Sequence, residues 1–415
     1  MIMETVPQAE ARTQVCQKLD APETLILGID AGKGRHVACI ATSQARILQR
    51  RLILRGDAEG MAAMEKALNH WGPLTSYVAA MEPTGGYTAC LDQFLRDRGV
   101  PVVYVHPLKV KSNRQTLDLS ANKSDERDTV NVVDLVRQKK FYLPQERDTS
   151  QRLLLLAVKR HADLTKRRTR RVARLRLILE EHFPELERAF AQVPCATLLA
   201  LLRHDVHPEA IRRLSLPAFL KPFVGMSGVS MPRMEEVFRL AHHSMGCRGT
   251  QAVFREQLDA WLQEWQGFET QEEEARKRME QLAQAHPAYP HLNSIPGVGL
   301  VTIATFLAHL PDPSRFPYAS RVVKFFGLDV VERSSGQRNP VQRHISKRGA
   351  PLMRKSLYNA ALACLQHNPL LRAYYDHLIN KGKRPKVALV ALMGKLARLL
   401  FAIYRDRSFW DTDAV

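Results

Sequence analysis

The sequence predicts an α/β domain followed by a mainly helical remainder. Apolar runs of strand length alternate with helical stretches up to about residue 145, and from about residue 150 the apolar spacing is helical. A three-strand meander followed by alternating helices and strands indicates a mixed sheet with helices on its faces. The predicted divisions are an N-terminal arm (1–21), an α/β domain (22–145), a helical region with a coiled coil and an insertion (146–285), and a C-terminal domain (286–415).

The strands of the α/β domain are recognised as apolar runs bounded by turn residues. TLILGIDAGKGRHVACIAT has the form of a β-hairpin with a Gly-rich turn, and ARILQRRLILRG (45–56) suits a third strand. SYVAAME (76–82) and PVVYVHP (101–107) supply two more strands, and the segments that follow the last three strands have helical character. The residues before position 22 show no periodic pattern, so an arm is expected there.

A long apolar seam marks the helical region. Steps of four and three alternate through Phe254, Leu258, Trp261, Trp265, Phe268, Glu272, Ala275, Met279 and Leu282. Four heptads with one polar member predict a coiled coil. Its partner is either the earlier helix marked by Val172, Leu175, Leu179 and Phe183, in an antiparallel hairpin, or a second subunit. The Pro and Gly residues between about 190 and 250 indicate a small helical insertion.

The chain is strongly basic, with 61 Lys plus Arg against 42 Asp plus Glu and a formal net charge of +19. This excess favours a polyanionic partner, with nucleic acid first and an anionic membrane surface second. No run approaches the roughly 18 uninterrupted apolar residues of a membrane span, and the first residues lack a signal pattern. We therefore expect a cytoplasmic protein that does not use a membrane. The six cysteines form no C-x-x-C pair, so neither a zinc site nor a disulfide framework is indicated.

Two acidic residues come at predicted strand ends. Asp30 ends LILGID, and the following AGKG does not fit a phosphate loop, which needs four residues between its glycines and Ser or Thr after Lys. An NTPase is therefore excluded. Glu82 ends SYVAAME and precedes Pro83 and two glycines. Each carboxylate could face a metal ion, while the alternatives are a turn-capping Asp and a solvated strand-end Glu.

Asp125 and Asp128 lie three positions apart in KSDERDTV and share one face of a predicted helix. Two like charges there are unfavourable unless a cation lies between them, although a surface helix with incidental acids is the alternative. Taken with Asp30 and Glu82, they form an ordered set of four acids within one domain. Hard oxygen ligands of this kind suit Mg²⁺ or Mn²⁺, and a pair of such ions can support phosphodiester transfer.

A basic helix is predicted within residues 159–177, where nine Lys or Arg accompany one Asp. Phosphate contact is the favoured interpretation, and a solvated face of the coiled coil is the alternative. The nucleic-acid-binding residues predicted here are Lys166, Arg167, Arg168, Arg170, Arg171 and Arg174. Gly297 and Gly299 in IPGVGL resemble the hairpin of a helix-hairpin-helix element, whose amides approach phosphate, although a plain Pro-Gly turn would also explain them.

Ser334 and Ser335 lie in a strongly basic segment, VERSSGQRNPVQRHISKRG. A serine here could attack a phosphodiester, because guanidinium groups would stabilise the pentavalent phosphate. It could equally only grip phosphate, which spacing alone favours because no base accompanies it. The predicted phosphate-binding residues around it are Arg338, Arg343, Lys347 and Arg348.

Several motifs resemble those of a known family. GIDAGKGRHVACI, AMEPTGGY, HPLKVK and KSDERDTVNVVDLV resemble the N-terminal domain of the DEDD transposases of the insertion sequence 110 group, which are related to the Piv-type DNA invertases. LNSIPGVGLVTIATFLA, FFGLDVVERSSGQ, HISKRGAPLMRKSLYNAA and KLARLLFAIYRD resemble their C-terminal transposase domain. KSDERDT departs from the family in the residues between its aspartates, and the helical middle is longer than expected.

The resemblance implies an RNase H-like, RuvC-type first domain with Asp30, Glu82, Asp125 and Asp128 as its metal-binding quartet. It also implies a nucleophilic serine, Ser335 rather than Ser334, that forms a phosphoserine link in a site built from two subunits. A structured non-coding bridge RNA would pair with donor and target DNA, so that base pairing chooses the sequence. A homodimer that assembles into a tetramer, in the cytoplasm and associated with the nucleoid, is the expected state.

The sequence as a whole therefore predicts an insertion-sequence transposase or recombinase that cuts and rejoins DNA through a serine and Mg²⁺. The alternative is a metal-dependent nuclease or Holliday-junction resolvase that uses water as the nucleophile, and a third interpretation is a non-catalytic nucleic-acid scaffold.

Overall fold

The computed structural model describes residues 6–83, 85–118, 125–143, 148–310, 312–333 and 342–411. Two compact units are present: unit 1 comprises residues 1–146 with 314–317, and unit 2 comprises residues 147–313 with 318–415. Unit 2 includes residues of both the predicted helical region and the predicted C-terminal domain.

Unit 1 is a five-stranded mixed sheet with helices on both faces. Its strands are β1 (Leu25–Ala31), β2 (Arg35–Thr42), β3 (Ile47–Arg55), β4 (Tyr77–Met81) and β5 (Val102–Tyr104), in the order β3-β2-β1-β4-β5. Its helices are α1 (Val6–Asp20), α2 (Ala58–Trp71), α3 (Ala89–Asp97), α4 (Pro107–Asp118) and α5 (Asp125–Arg137). β1, β2 and β3 pair antiparallel, whereas β1, β4 and β5 are parallel. The prediction of a meander that continues into a mixed sheet is confirmed.

Alternation along the strands divides the core of unit 1 into two layers. Leu27, Ile29 and Met81 belong to the layer that includes Met64 and Leu68 of α2 and Leu91 of α3. Ile26, Val78 and Ala80 belong to the opposite layer, which includes Val132, Val133 and Val136 of α5. Both faces of β1 and β4 are therefore covered, as their continuous apolar sequences suggest.

The N-terminal residues form a helix where the sequence predicts an unpatterned arm. Val15 and Leu19 of α1 are buried in the layer that contains α5. The Arg12 guanidinium donates hydrogen bonds to the carbonyls of Lys139 and Phe141, at 3.0 and 3.1 Å. Because α1 buries only a few apolar side chains, it lacks the repeated spacing by which a helix is recognised in sequence.

The described residues of unit 2 form helices and one small hairpin. Its first helices are α6 (Thr149–His182), α7 (Ala196–Leu202), α8 (Pro208–Arg212), α9 (Leu216–Leu220), α10 (Met231–His242) and α11 (Gln251–Gln284). They are followed by α12 (Tyr289–Asn293), α13 (Leu300–His309), α14 (Ala319–Phe325), the strands β6 (Val330–Arg333) and β7 (Gln342–Ile345), α15 (Pro351–His367), α16 (Pro369–Asn380) and α17 (Pro385–Asp406). A capping box formed by Asp148 and Gln151 begins α6.

The long helices α6 and α11 pair with each other, and they run antiparallel. The His182 ring, at the end of α6, lies 4.8 Å from Phe254 near the start of α11. Farther along, Trp261 Nε1 donates to the Arg171 carbonyl at 3.0 Å, and Leu164 clusters with Phe268 and Ala275. Of the two partners that the sequence left open, the described structure contains the pairing within the chain. That this pair is a coiled coil stays a prediction.

Most of the predicted seam is buried along α11. The buried members are Phe254, Leu258, Trp261, Trp265, Phe268, Ala275 and Met279. Glu272 and Leu282 are half-buried, and Ala283 is buried beside Leu282. The helices α7 to α10 cover one end of the pair through a core that includes Leu201, Phe219 and Met234. The segment between the long helices is thus helical.

α17 is the core helix of the C-terminal part. Ala388, Leu392, Leu396 and Leu400 are fully buried, and the helix packs against α14, α15 and α16. Among the described helices, it alone is long and apolar enough to cross a membrane by length and composition. Of its most apolar stretch of 18 residues, 61% is buried in the protein.

Candidate functional site

Asp30 and Glu82 lie side by side at the carboxyl ends of two neighbouring parallel strands. β1 and β4 pair in a register that joins Gly28 to Ala80 and Ile29 to Met81. The next position of this register brings Asp30 opposite Glu82, which directly follows β4. Both side chains are half-buried. Carboxyl ends of parallel strands are the usual place for functional groups in open α/β sheets.

Both carboxylates belong to the sheet face that α5 covers. Because side chains alternate along a strand, Asp30 shares a face with Gly28, and Glu82 continues the face of Ala80. Ala80 is buried in the layer of α5. α5 also approaches β1 closely: a Cβ atom at Gly28 would lie 2.6 Å from the Thr129 carbonyl oxygen and 2.7 Å from Val133 Cγ2. Any larger residue at Gly28 would push the helix away from the strand.

The direction of α5 brings its acidic first turn to the same edge. The C-terminal end of α5 lies near the beginning of β1. Lys139 follows this helix by two residues, and its Nζ is 2.7 Å from Oδ1 of Asp20, which precedes the first residue of β1, Leu25, by five positions. The first turn of α5, where Asp125 and Asp128 lie, must therefore extend toward the end of β1. Asp128 is 4% exposed and precedes Thr129, the residue in contact with Gly28. We call Asp30, Glu82 and Asp128 together the carboxylate edge.

The loop after Glu82 leaves open space on this side. Gly85 has a φ of +72°, a conformation that favours glycine. A Cβ atom at Gly85 or Gly86 would meet no other atom within 4 Å. Tyr87 is exposed, and the Thr88 hydroxyl donates to the Gly85 carbonyl at 3.2 Å. A backbone of nucleic acid could thus approach Gly85 and Gly86 closely.

The carboxylate edge fits a divalent ion in its donor chemistry, since all three groups are hard oxygen donors. Within the described part of the chain, no group of three or more His, Cys, Asp or Glu residues is arranged to hold a metal ion. The side chain of Asp125, the fourth predicted ligand, lies outside that part. The quartet and its metal therefore stay predictions.

The predicted serines lie outside the described residues, as does Arg338, but the strands on either side of them in the sequence are described. β6 and β7 pair antiparallel, with Val330 opposite Ile345 and Arg333 opposite Gln342. In the sequence, Ser334 and Ser335 come after Arg333 and before Gln342, and we call the paired strands β6 and β7 the serine hairpin. This hairpin was missed in the sequence, although the two β-branched valines of DVVER could have indicated a strand.

The base of this hairpin is fixed by backbone contacts. A Cβ atom at Gly349 would lie 2.2 Å from the Phe325 carbonyl oxygen, so the chain before β6 and the chain after β7 cross in close contact. Arg354 donates to the carbonyls of Gly349 and Phe326, at 2.6 and 3.2 Å. The predicted phosphate-binding residues Arg343, Lys347 and Arg348 are exposed around this base. Arg354 instead holds the backbone.

The two glycines of IPGVGL have different surroundings. Gly297 has a φ of +86°, and a Cβ atom there would lie 2.8 Å from the backbone of Cys364 in α15. A glycine at position 297 is thus explained by a turn that packs against α15. Gly299 precedes α13, is exposed, and has nothing within 4 Å of a Cβ position. Of the two, Gly299 is the one that a phosphate could approach.

The predicted basic helix contains two kinds of cation. Arg167 pairs with Asp163 at 2.8 Å, Arg168 with Glu272 at 3.5 Å, and Arg171 with Glu264. The exposed cations Lys166, Arg170 and Arg174 form no ion pair with any described residue. These three are spaced by four residues and share one side of α6. We call them the α6 stripe.

Comparison with known families finds a transposase model that matches each half of the chain. Residues 27–184 match the model of the IS110-type DEDD transposase, described as a transposase. Residues 289–376 match the model described as the transposase of the IS116/IS110/IS902 family. The chain belongs to this transposase family. The carboxylate edge lies within the first match, and the hairpin with the two serines lies within the second.

Relatives of this IS110-family transposase are similar over most of its length. The insertion element IS110 uncharacterized 43.6 kDa protein of Streptomyces coelicolor is 26% identical over 400 residues, which cover 94% of this chain and 96% of that protein. The transposase for insertion sequence element IS1111A of Coxiella burnetii is 24% identical over 382 residues, 91% of this chain and 89% of that protein. The pilin gene-inverting protein of Moraxella bovis is 27% identical over 121 residues, which cover 29% of this chain and 38% of that protein. Family membership implies an enzyme that cuts and rejoins the DNA of an insertion sequence.

Proposed function

We propose that this transposase cuts and rejoins DNA through a phosphoserine intermediate, with a divalent metal ion held at the carboxylate edge. The observation that carries the proposal is the register that brings Asp30 opposite Glu82 at the ends of two adjacent parallel strands, with Asp128 in the first turn of the helix that covers the same sheet face. Acids on two strand ends and on the covering helix would thus serve phosphodiester transfer in a chain whose net charge of +19 favours a polyanionic substrate.

Unit 1 is proposed to have an RNase H-like fold of the RuvC type. Its support is a meander of three antiparallel strands that continues into two parallel strands, with helices on both faces. Asp30, Glu82, Asp125 and Asp128 would hold Mg²⁺ or Mn²⁺. When bound, the ion supplies positive charge that stabilises the attacking and leaving oxygens of the phosphodiester.

Ser335 is proposed as the nucleophile. Its Oγ forms a bond to phosphorus as the bond from phosphorus to a deoxyribose oxygen breaks, and the hydroxyl proton is lost while the leaving oxygen gains one. Attack by a hydroxyl of another DNA end reverses the step and releases the serine. Arg343 on β7, and Lys347 and Arg348 after it, are exposed and would bind the phosphates of that DNA.

Partner chemistry is proposed from the family resemblance. A structured bridge RNA would pair with donor and target DNA, and a dimer that assembles into a tetramer would bring the serine of one subunit to the carboxylates of another. The α6 stripe supports a phosphate partner, because its three exposed cations have no carboxylate partner among the described residues.

The proposal is tested by trapping the covalent intermediate. The full chain is incubated with Mg²⁺ and with DNA and transcripts from the sequences that flank its gene, and adducts are resolved under denaturing conditions. We expect a protein–DNA adduct from the wild type and from Ser334→Ala, and none from Ser335→Ala. Loss of the adduct in Ser334→Ala alone would assign the nucleophile to the other serine.

The second candidate is a nuclease or junction resolvase, because carboxylates at strand ends can equally activate water. It predicts DNA cleavage without an adduct, at the same rate in wild type and Ser335→Ala. That result would overturn the serine mechanism while leaving the carboxylate edge as the site of chemistry. Unchanged rearrangement of DNA in cells with Asp30→Asn would instead indicate a scaffold.

A further inference from the structure

The turn between α16 and α17 carries a cluster of cations that has no role in the site described above. Lys381, Lys383, Arg384 and Lys386 are all exposed, and we call them the basic turn. No Asp or Glu occurs between Asp376 and Asp406. Asp376 pairs with Arg372 at 3.2 Å and Asp406 with Arg405 at 2.7 Å. None of the four cations forms an ion pair within the described part of the chain.

Backbone hydrogen bonds fix this turn on both sides. The Gly382 and Lys383 amides donate to the carbonyls of Ile379 and Leu378, at 2.8 and 3.1 Å, which closes the end of α16. Gly382 has a φ of +77°, which completes a tight helix end. The Val387 and Ala388 amides donate to the Arg384 carbonyl at 2.9 and 3.0 Å and begin α17. The cations are thus presented by an ordered backbone rather than by a flexible tail.

The position of the cluster is electrostatically unfavourable for α17. Arg384 is the N-terminal cap of this helix and Lys386 lies in its first turn, which contains no acidic residue. The N-terminus of a helix carries a partial positive charge, so cations there are repelled. Lys381, by contrast, lies at the C-terminus of α16, where a cation is favoured. An anion bound at the turn would offset the repulsion at the start of α17.

The chemistry around the turn favours phosphate over a membrane. Binding to a membrane surface normally combines cations with apolar side chains that enter the lipid. Here Val387 is the exposed large apolar residue of α17, and most of the other apolar residues of this helix are buried in the core. Nucleic acid requires only an array of exposed Lys and Arg.

We propose that the basic turn binds the phosphodiester backbone of nucleic acid, as a contact separate from the α6 stripe and from the serine hairpin. The turn begins after residue 376, where the second family match ends, so it lies outside both matched regions. The proposal relies on the DNA partner of the proposed function for the class of ligand, but not on serine or metal chemistry.

The test measures binding by the full chain without any reaction. Lys381, Lys383, Arg384 and Lys386 are replaced together by Gln. A matched control replaces Arg276, Lys277, Arg372 and Arg405 by Gln, which removes the same charge from residues already paired with carboxylates. Fluorescence anisotropy is recorded against salt concentration with a mixed-sequence duplex DNA and with a single-stranded RNA.

We expect the turn variant to flatten the slope of log affinity against log salt by about two to four for duplex DNA, since each phosphate contact contributes roughly 0.9. The control variant should change this slope by less than about one. The probe with the larger change identifies DNA or RNA as the partner.

Three outcomes would each overturn the proposal. They are equal changes of the slope in the turn variant and the control, no binding of nucleic acid by the wild type, and turn-dependent binding to phosphatidylserine vesicles without nucleic-acid binding. Circular dichroism and thermal unfolding verify that both variants fold. Absence of an adduct in the wild type would overturn the serine mechanism without altering this binding result, so the two proposals fail separately.

Discussion

The carboxylate edge of unit 1 and the cationic surfaces of unit 2 carry opposite charges, and they are built in opposite ways. Asp30, Glu82 and Asp128 are half-buried or buried, on strands and a helix held in place by close packing. The cations of α6, of the serine hairpin and of the basic turn are mostly exposed, and several on α6 are neutralised by ion pairs.

The two regions should therefore respond differently to substitution. A metal site requires a few oxygens at fixed positions, so one acid or one packing contact can decide its activity. A phosphate surface acts through summed charge, so each cation contributes little and only sets of them have a large effect. The following experiments test that contrast.

The largest effect is expected at the carboxylate edge. Asp30→Asn and Asp128→Asn should each lower the rate of DNA cleavage by about 100- to 1000-fold, because an amide is a poor ligand for a hard cation. Adduct formation with DNA from the gene's flanks is the measurement. Asp92→Asn is the matched control, since Asp92 lies on α3 and pairs with Arg96 at 2.9 Å. Equal losses in all three variants would show that the edge has no special role.

The next effect concerns the packing that positions α5. Gly28→Val should destabilise the protein by about 2–3 kcal/mol, because the new side chain would overlap Thr129 and Val133. Its residual activity should fall further than its stability accounts for. Gly267→Ala is the control, because Gly267 lies in the middle of α11 and a Cβ atom there would meet no other atom within 4 Å. Ala at this position should stabilise the protein by about 0.5–1 kcal/mol. Denaturant unfolding measures the free energy of unfolding of both variants. A Gly28→Val variant as stable as the wild type would contradict the close approach of α5 to β1.

A smaller effect separates free from paired cations on α6. Replacing the α6 stripe, Lys166, Arg170 and Arg174, by Gln should flatten the salt dependence of duplex binding by about two to three. Replacing Arg167, Arg168 and Arg171 removes the same charge but should have about a third of that effect, because these residues already pair with carboxylates. Similar slopes for the two triple variants would show that only net charge matters.

The smallest effect is a pH dependence of stability. Burial lowers the pKa of His36 and His207, so the folded state favours their neutral forms. The unfolded chain binds these protons more readily, so the free energy of unfolding should be highest above a pH of about 6.5 and fall as pH decreases below it. His207→Gln should make this fall shallower, whereas exposed His377→Gln should leave it unchanged. Urea unfolding at several pH values below neutrality gives the measurement, and a fall as steep in His207→Gln as in the wild type would contradict the prediction.

Much of the local structure of this protein, and its family, follow from the amino-acid sequence alone. Apolar runs with Gly-rich turns predict the hairpin of β1 and β2, and steps of three and four predict the buried side of α11, because strand and helix periodicities are properties of neighbouring residues. The motifs around Asp30, Glu82, Asp125 and Asp128 are sufficient by themselves to indicate the transposase family. The α1 helix and the β6–β7 hairpin were missed, since each is stabilised by contacts with distant residues rather than by its own pattern.

Which of these residues meet depends on the packing of segments that are far apart in the chain. Asp30 and Glu82 are more than fifty positions apart, and the parallel register of β1 and β4 brings them side by side. The close contact at Gly28 sets the height of α5 above the sheet, and with it the position of Asp128. On α6, neighbouring arginines differ because α11 supplies a carboxylate to some and none to others. Such pairings depend on how distant segments pack, and a linear pattern of charges contains no record of that packing.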